Sequence, residues 1–128
     1  MKLRIKGNAL RLRLTQGEIR ALAESGQVQE RTEFPNGAAL VYRVRSDDKI
    51  QDISVGYEGS LIDFRIPAAL AARWCATELV TLSASVPVPS GSAQVALEKD
   101  YACLVPRPGE DESDHFPHPR AAEGHGSC

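Results

Sequence analysis

The chain opens with alternating hydrophobic and polar residues, a pattern that predicts a β-hairpin. Gly7-Asn8 stands between two alternating runs, and glycine at the first central position of a two-residue loop suits a type II′ turn. This loop predicts the pairs Lys6–Ala9, Ile5–Leu10, Arg4–Arg11, Leu3–Leu12 and Lys2–Arg13. In that register one face of the hairpin is aliphatic and the other is basic.

A short helix is predicted directly after the hairpin. Thr15 and Glu18 have the spacing of a capping box, in which each side chain accepts a hydrogen bond from the other residue's backbone. Leu14 and Ile19 occupy the two positions of a hydrophobic staple around that cap. Gly26 is a typical C-terminal stop, so we expect the helix to end there.

The middle of the chain alternates like a series of strands. Four segments, at 28–34, 40–45, 53–57 and 62–66, are separated by polar or glycine-containing turns. They predict an antiparallel meander with one buried face. Pro67 then starts a second helix, because its missing N–H costs nothing at that position, and this helix ends near Ala76-Thr77.

Two more strands complete the predicted fold, at 80–84 and 95–104, and no internal repeat is visible in the sequence. The prediction is a single α+β domain over 1–106, with a mainly antiparallel sheet of six or seven strands and two short helices on one face. Segment 107–128 is an acidic, His-containing tail that we expect to be flexible, at least at its end. The residues that we expect in the core are Ile5, Leu10, Leu12, Ile19, Leu22, Tyr42, Val55, Phe64, Leu70, Trp74, Leu82 and Leu97.

Composition narrows the possible functions. The chain has 128 residues, 42% of them hydrophobic, and a formal net charge of −2. That charge argues against specific nucleic-acid binding, which usually requires a basic domain. No apolar run approaches the roughly 20 residues of a membrane span, and the charged N-terminus is unlike a signal peptide. With an odd number of cysteines, three, the chain is expected to be cytoplasmic, with free thiols.

Charge is segregated along the chain. Residues 1–20 carry a balance of +5, and residues 98–114 a balance of −4. Like charges that face each other across a hairpin are destabilising, so the basic face requires a counter-anion. That anion could be phosphate, nucleic acid, an acidic partner or this chain's own acidic segment, and we favour the last. The basic face consists of Lys2, Arg4, Lys6, Arg11 and Arg13, and the acidic counter-segment of Glu110, Asp111, Glu112 and Asp114.

The chemistry-bearing residues suggest two alternatives. The tail supplies borderline and soft metal ligands at His115, His118, His125 and Cys128, although their spacing matches no known zinc module. Cys75 and Cys103 could serve a cysteine-dependent enzyme, although their sequence contexts favour buried thiols. There is no phosphate-binding glycine loop and no nucleophile elbow, so an enzyme is less favoured than a binding protein.

Both ends of the chain carry recognisable motifs. The opening KLRIKGN with RLRLT, and the later EKDYACL followed by ED and FPHP, resemble a family of small bacterial proteins of unknown function. The resemblance covers nearly the whole chain and implies no activity or cofactor. It implies that 110–119 is ordered, and, because the family pattern has Asn at the position of His118, it weakens the metal hypothesis.

Together these patterns favour a non-catalytic binding or interaction module. Its recognition surface would be the basic hairpin face, and its partner an acidic protein or a small anionic ligand. No cofactor is implied. The metal-binding tail is the first alternative and the cysteine-dependent enzyme the second.

Overall fold

The computed structural model describes residues 1–100 and Phe116, and contains two helices and eight strands. The first five elements are β1 (Lys2–Lys6), β2 (Ala9–Leu14), α1 (Gln16–Ser25), β3 (Gln27–Glu33) and β4 (Ala39–Asp47). The next five are β5 (Ser54–Glu58), β6 (Leu61–Pro67), α2 (Ala68–Ala76), β7 (Thr81–Val88) and β8 (Gly91–Lys99). The α+β class is therefore confirmed. The predicted boundary at 106 and the tail beyond it lie outside the described residues, except for Phe116.

The strands form two sheets of four, whereas the sequence predicts one sheet of six or seven. Sheet A has the order β1-β2-β8-β7, and sheet B the order β3-β4-β6-β5. The predicted meander is wrong, because β4 pairs with β6 in parallel, with Val44 opposite Phe64. Alternation shows which face of a strand is buried but does not identify the neighbouring strand, and this explains the error.

The ten elements repeat a single unit of two strands, a helix and two strands. The first unit runs from β1 to β4 around α1, and the second from β5 to β8 around α2. Each sheet combines the first hairpin of one unit with the second hairpin of the other, through the parallel pairs β2–β8 and β4–β6. Gly7 and Gly59 open equivalent turns at positive φ, and Thr15 and Pro67 are equivalent N-caps. The two units share the order and pairing of their strands and helices, and this similarity is not visible when their amino-acid sequences are compared.

The predicted first hairpin is confirmed residue by residue, with Arg4 opposite Arg11 and Lys2 opposite Arg13. The capping box is also present. The Glu18 backbone N–H donates to Thr15 Oγ1, and the Thr15 N–H donates to Glu18 Oε1 at 2.9 Å. Glu18 Oε2 also accepts a hydrogen bond from the Met1 ammonium at 2.6 Å, which fixes the start of β1 beside α1. Gly26 ends the helix in the left-handed conformation, as predicted.

The core is formed by the inner faces of both sheets and by the two helices. Of the predicted core, seven residues are buried, namely Leu12, Ile19, Leu22, Phe64, Trp74, Leu82 and Leu97. Four are partly buried and pack against them, namely Leu10, Tyr42, Val55 and Leu70. Ile5 is 56% exposed because it lies near the tip of the edge strand β1, so this prediction is wrong. Neither helix in the described part of the chain has the length and apolar content needed to cross a membrane.

Candidate functional site: the basic face of sheet A

The structure brings all five predicted basic residues to the outer face of sheet A. They lie on β1 and β2, which form one edge of the sheet and its neighbouring strand. Alternation places their apolar neighbours, such as Leu12, on the opposite face toward the core. The hairpin therefore separates apolar packing from positive charge, as its sequence predicts.

Part of this charge is balanced by β8, which runs beside β2. Glu98 lies opposite Arg13, and its carboxylate is 3.1 Å from Arg11 Nε and 3.6 Å from Arg13 Nε. The Lys2 ammonium lies 3.5 Å from Asp100. An intramolecular counter-anion is thus present, and it comes from the end of β8. The predicted counter-segment of Glu110, Asp111, Glu112 and Asp114 lies outside the described residues.

Among the described residues, five cations share two carboxylates on this face, a surplus of three positive charges. The surplus is concentrated at Arg4 and Lys6, which are exposed and form no ion pair with any described residue. Arg4 lies opposite Arg11, and Glu98 pairs with Arg11 but not with Arg4. The repulsion between the two arginines is therefore only partly relieved. No carboxylate of residues 1–100 neutralises Arg4 and Lys6 at this end of the face, so an anion bound there would relieve the repulsion.

A depression of about 310 Å³ lies at this end of the face. Arg4, Lys6 and Arg11 line one side, and Ser83 and Gln94 line the other. The strands between them carry alanines, whose small side chains leave the floor open. The cationic groups, the serine hydroxyl and the glutamine amide can all donate hydrogen bonds, and this donor set suits a small anion.

Sequence analysis did not identify Ser83 and Gln94 as site residues. Each belongs to the second hairpin of the second unit, far along the chain from the basic hairpin, and parallel pairing of β2 with β8 brings them together. Gln94 Nε2 also donates to Ser85 Oγ at 3.2 Å, so its amide is oriented within the strand pair. Serines at alternate positions of β7 were the available signal, but serine there is equally typical of a solvated strand face.

The thiol of Cys75 is poorly suited to nucleophilic catalysis. Burial in α2 raises the pKa of Cys75, and the nearby Lys99 only partly opposes this effect. Burial also lowers the pKa of Lys99, whose Nζ donates to the Thr77 carbonyl at 2.6 Å and lies 5.7 Å from the ring centre of Phe116. A reactive cysteine requires a lowered pKa, so this site does not favour the enzyme hypothesis. Cys103 lies outside the described residues.

No metal centre is formed by the part of the chain that the structure describes, since it holds no group of three or more His, Cys, Asp or Glu suited to an ion. The candidate ligands His115, His118, His125 and Cys128 lie outside that part.

A second concave feature lies between the sheets, at the end where the hairpins turn. This cleft of about 760 Å³ is lined mainly by aliphatic residues, with Ile5 and Tyr57 exposed. No acidic or basic side chain lines it, so it offers apolar surface but no acid–base or electrostatic chemistry.

Comparison with known protein families places this site in context. The model of a family of unknown function, DUF7009, matches residues 1–120. The chain belongs to this family. The resemblance to a family of unknown function is thereby confirmed, and every described element of the fold lies within the matched DUF7009 region. No curated protein and no solved structure shows a significant match to the chain.

Membership of DUF7009 separates the two predicted sites. The whole basic face lies inside the matched region, whereas His125 and Cys128 lie beyond residue 120. Half of the candidate metal ligands are thus outside the family domain. The metal-binding tail is accordingly a weaker candidate than the basic face for a function that the domain itself carries.

Proposed function

We propose that this chain is a non-catalytic binding protein that recognises a small anionic ligand on the outer face of sheet A. The observation that carries the proposal is the coincidence of uncompensated charge with a depression. Arg4 and Lys6 are the two cations of the basic face that form no ion pair with a described residue, and both line the concave part of the face. A charge surplus on a flat surface would favour only nonspecific association.

The size of the depression favours a small ligand over an acidic protein. Its volume of about 310 Å³ is at the lower end of the range of roughly 300–1,000 Å³ typical of small-molecule sites. Specific protein partners usually bury about 800 Å² on each side of a flatter interface. An oxyanion held in the depression would have cationic donors on one side and neutral donors on the other.

Negative charge and hydrogen-bond acceptors are the properties that the site selects. Guanidinium groups bind carboxylate and phosphate oxygens in pairs, and a lysine ammonium adds a compact charge. The ligand class is therefore a small oxyanion, for which inorganic pyrophosphate is a suitable probe. The described residues that line the depression include no pair of nucleophile and general base, which favours binding of the anion without reaction.

The test is an NMR titration of the full chain with pyrophosphate, followed through the backbone amides of Ser83 and Gln94. The Arg4→Gln/Lys6→Gln double variant should weaken binding at these reporters by roughly tenfold or more, because it removes two charged donors. The matched control is Arg20→Gln/Lys49→Gln, which changes the net charge equally at exposed positions outside the depression. Equal weakening in both variants would show that binding depends only on the net charge of the protein. If the amide signals of Ser83 and Gln94 do not shift in the wild-type protein, the proposal is refuted.

A further inference from the structure

Three arginines converge on one aspartate on the outer face of sheet B. Asp63 lies on β6, with Arg43 opposite it on β4. Two residues further along the same face, Arg45 on β4 lies opposite Arg65 on β6. The Nε atom of each arginine is 3.1 Å from a carboxylate oxygen of Asp63. The cluster occupies the two central strands of the sheet, where the backbone is held on both sides.

One carboxylate balances only one of these three cations, which leaves a local surplus of two positive charges. Asp63 is buried under the arginines, with only 6% of its surface exposed. Partial burial alone would raise the pKa of Asp63, but hydrogen bonds from Arg43, Arg65 and Arg45 outweigh it and hold this pKa below its ordinary value. The carboxylate is therefore charged at neutral pH and fixes the orientation of all three guanidinium groups.

The outer edges of the guanidinium groups have no acceptor among the residues that the structure describes. Within the described residues, each of the three groups donates a hydrogen bond only through Nε, to Asp63. The four N–H bonds on the two terminal nitrogens of each group have no acceptor there. Gly56 lies opposite Asp63 on β5 and carries no side chain, and a Cβ added to it would meet nothing within 4 Å. The cluster is thus open on that side.

We infer that Arg43, Arg45 and Arg65 form a second anion-binding site, which takes a phosphate group in its dianionic form. The surplus of two charges matches a phosphate dianion and exceeds what a single carboxylate would neutralise. Guanidinium groups bind phosphate oxygens through paired N–H donors, and three groups held by one carboxylate are already oriented for this. Asp63 acts here as a positioning residue, since it contacts the arginines and not the ligand.

This site does not depend on the proposed function. The cluster belongs to sheet B, and the depression at Arg4 and Lys6 belongs to sheet A. The competing explanation is that the arginines only stabilise Asp63, in which case their terminal nitrogens would bind no anion. Binding measured at the arginines themselves separates the two explanations.

The experiment is a titration of the full-length Arg4→Gln/Lys6→Gln variant with inorganic phosphate, followed by the Nε–Hε NMR signals of the arginines. Sodium chloride keeps the ionic strength constant. We expect saturable shifts at Arg43, Arg45 and Arg65, and weaker binding at pH 5.5 than at pH 7.5, because inorganic phosphate is mostly a monoanion at the lower pH and mostly a dianion at the higher one. A parallel titration with glycerol phosphate distinguishes a phosphate monoester from free phosphate as the tighter ligand.

Two single variants complete the test. Arg43→Gln should weaken phosphate binding by about tenfold or more, because it removes one charged donor set while two arginines still hold Asp63. Arg31→Gln is the control, since Arg31 lies on the neighbouring strand β3 on the same face of sheet B but pairs with Glu33 at 3.6 Å. Shifts no larger than those caused by chloride, or equal weakening in both variants, would overturn the inference.

Discussion

Replacement of Glu98 by Gln should raise anion affinity at the basic face of sheet A. The Glu98 carboxylate contacts Arg11 and Arg13, and Arg11 helps to line the depression. The change removes that negative charge and increases the surplus on the face from three to four. An anion that approaches Arg11 then meets less repulsion and a guanidinium released from its ion pair.

The size of the effect follows from Coulomb's law. An anion bound at Arg11 would lie about 7 Å from the Glu98 carboxylate, so the repulsion is roughly 0.6–2.4 kcal/mol for effective dielectric constants of about 80 to 20. Screening at physiological salt leaves about 1 kcal/mol, which corresponds to an affinity about fivefold higher. The free energy of unfolding should fall by no more than about 2 kcal/mol, since Glu98 forms two ion pairs and exposed ion pairs contribute about 0–1 kcal/mol each. The range for exposed ion pairs applies because the side chains of Arg11 and Arg13 are 47% and 40% exposed.

The assay is the pyrophosphate titration, with urea unfolding measured in parallel by the fluorescence of Trp74, the single tryptophan, which is fully buried. Glu24→Gln is the control, because it removes the same charge from an exposed position on α1. An unchanged or lower affinity in the Glu98 variant would show that the anion does not bind beside Arg11, and the reasoning would fail. An equal gain in the control would attribute the change to overall charge.

Three further predictions concern the fold. Phe64→Ala should lower the free energy of unfolding by about 3–5 kcal/mol, since Phe64 is fully buried in the core, and a loss below about 1 kcal/mol in urea unfolding would contradict the packing. Thr15→Ala should cost about 1 kcal/mol by removing the N-cap of α1, as measured by thermal unfolding, and no loss would mean that the cap is dispensable. The pKa of Asp63 is lower in the folded protein than its ordinary value, so the stability that this carboxylate provides is present above about pH 4 and is lost as the pH falls through the folded pKa. The stability difference between wild type and Asp63→Asn should therefore shrink on acidification, and a difference that grows would reverse the sign of the argument.

The local structure of the first hairpin and of α1 could be predicted because short-range chemistry specifies it. A two-residue loop fixes the register of the hairpin, and Thr15, Glu18 and Gly26 define both ends of the helix. The partners of the strands could not be predicted in the same way. Val44 and Phe64 are apolar whether β4 pairs with β6 or with β5, so alternation alone does not show the parallel contact.

The same limitation applies to the candidate sites. The basic side of the depression lies within one hairpin and was visible as alternating arginines and lysines. Ser83 and Gln94 were not, because they reach the depression only through the pairing of β8 with β2. The cluster around Asp63 also depends on a parallel pair, between β4 and β6. In both sheets the parallel contact between the two units assembles the charged groups, and this contact has no short-range signature.

The central claim is that a small anion binds in the depression lined by Arg4, Lys6 and Ser83. The most direct test is an anomalous difference map from crystals soaked in tungstate at low ionic strength, in a lattice that leaves the outer face of sheet A free of contacts. We predict a peak within hydrogen-bonding distance of the Arg4 and Lys6 side chains, absent from crystals of the Arg4→Gln/Lys6→Gln variant. A map with no peak in this depression, or a peak that persists in the variant, would contradict the account.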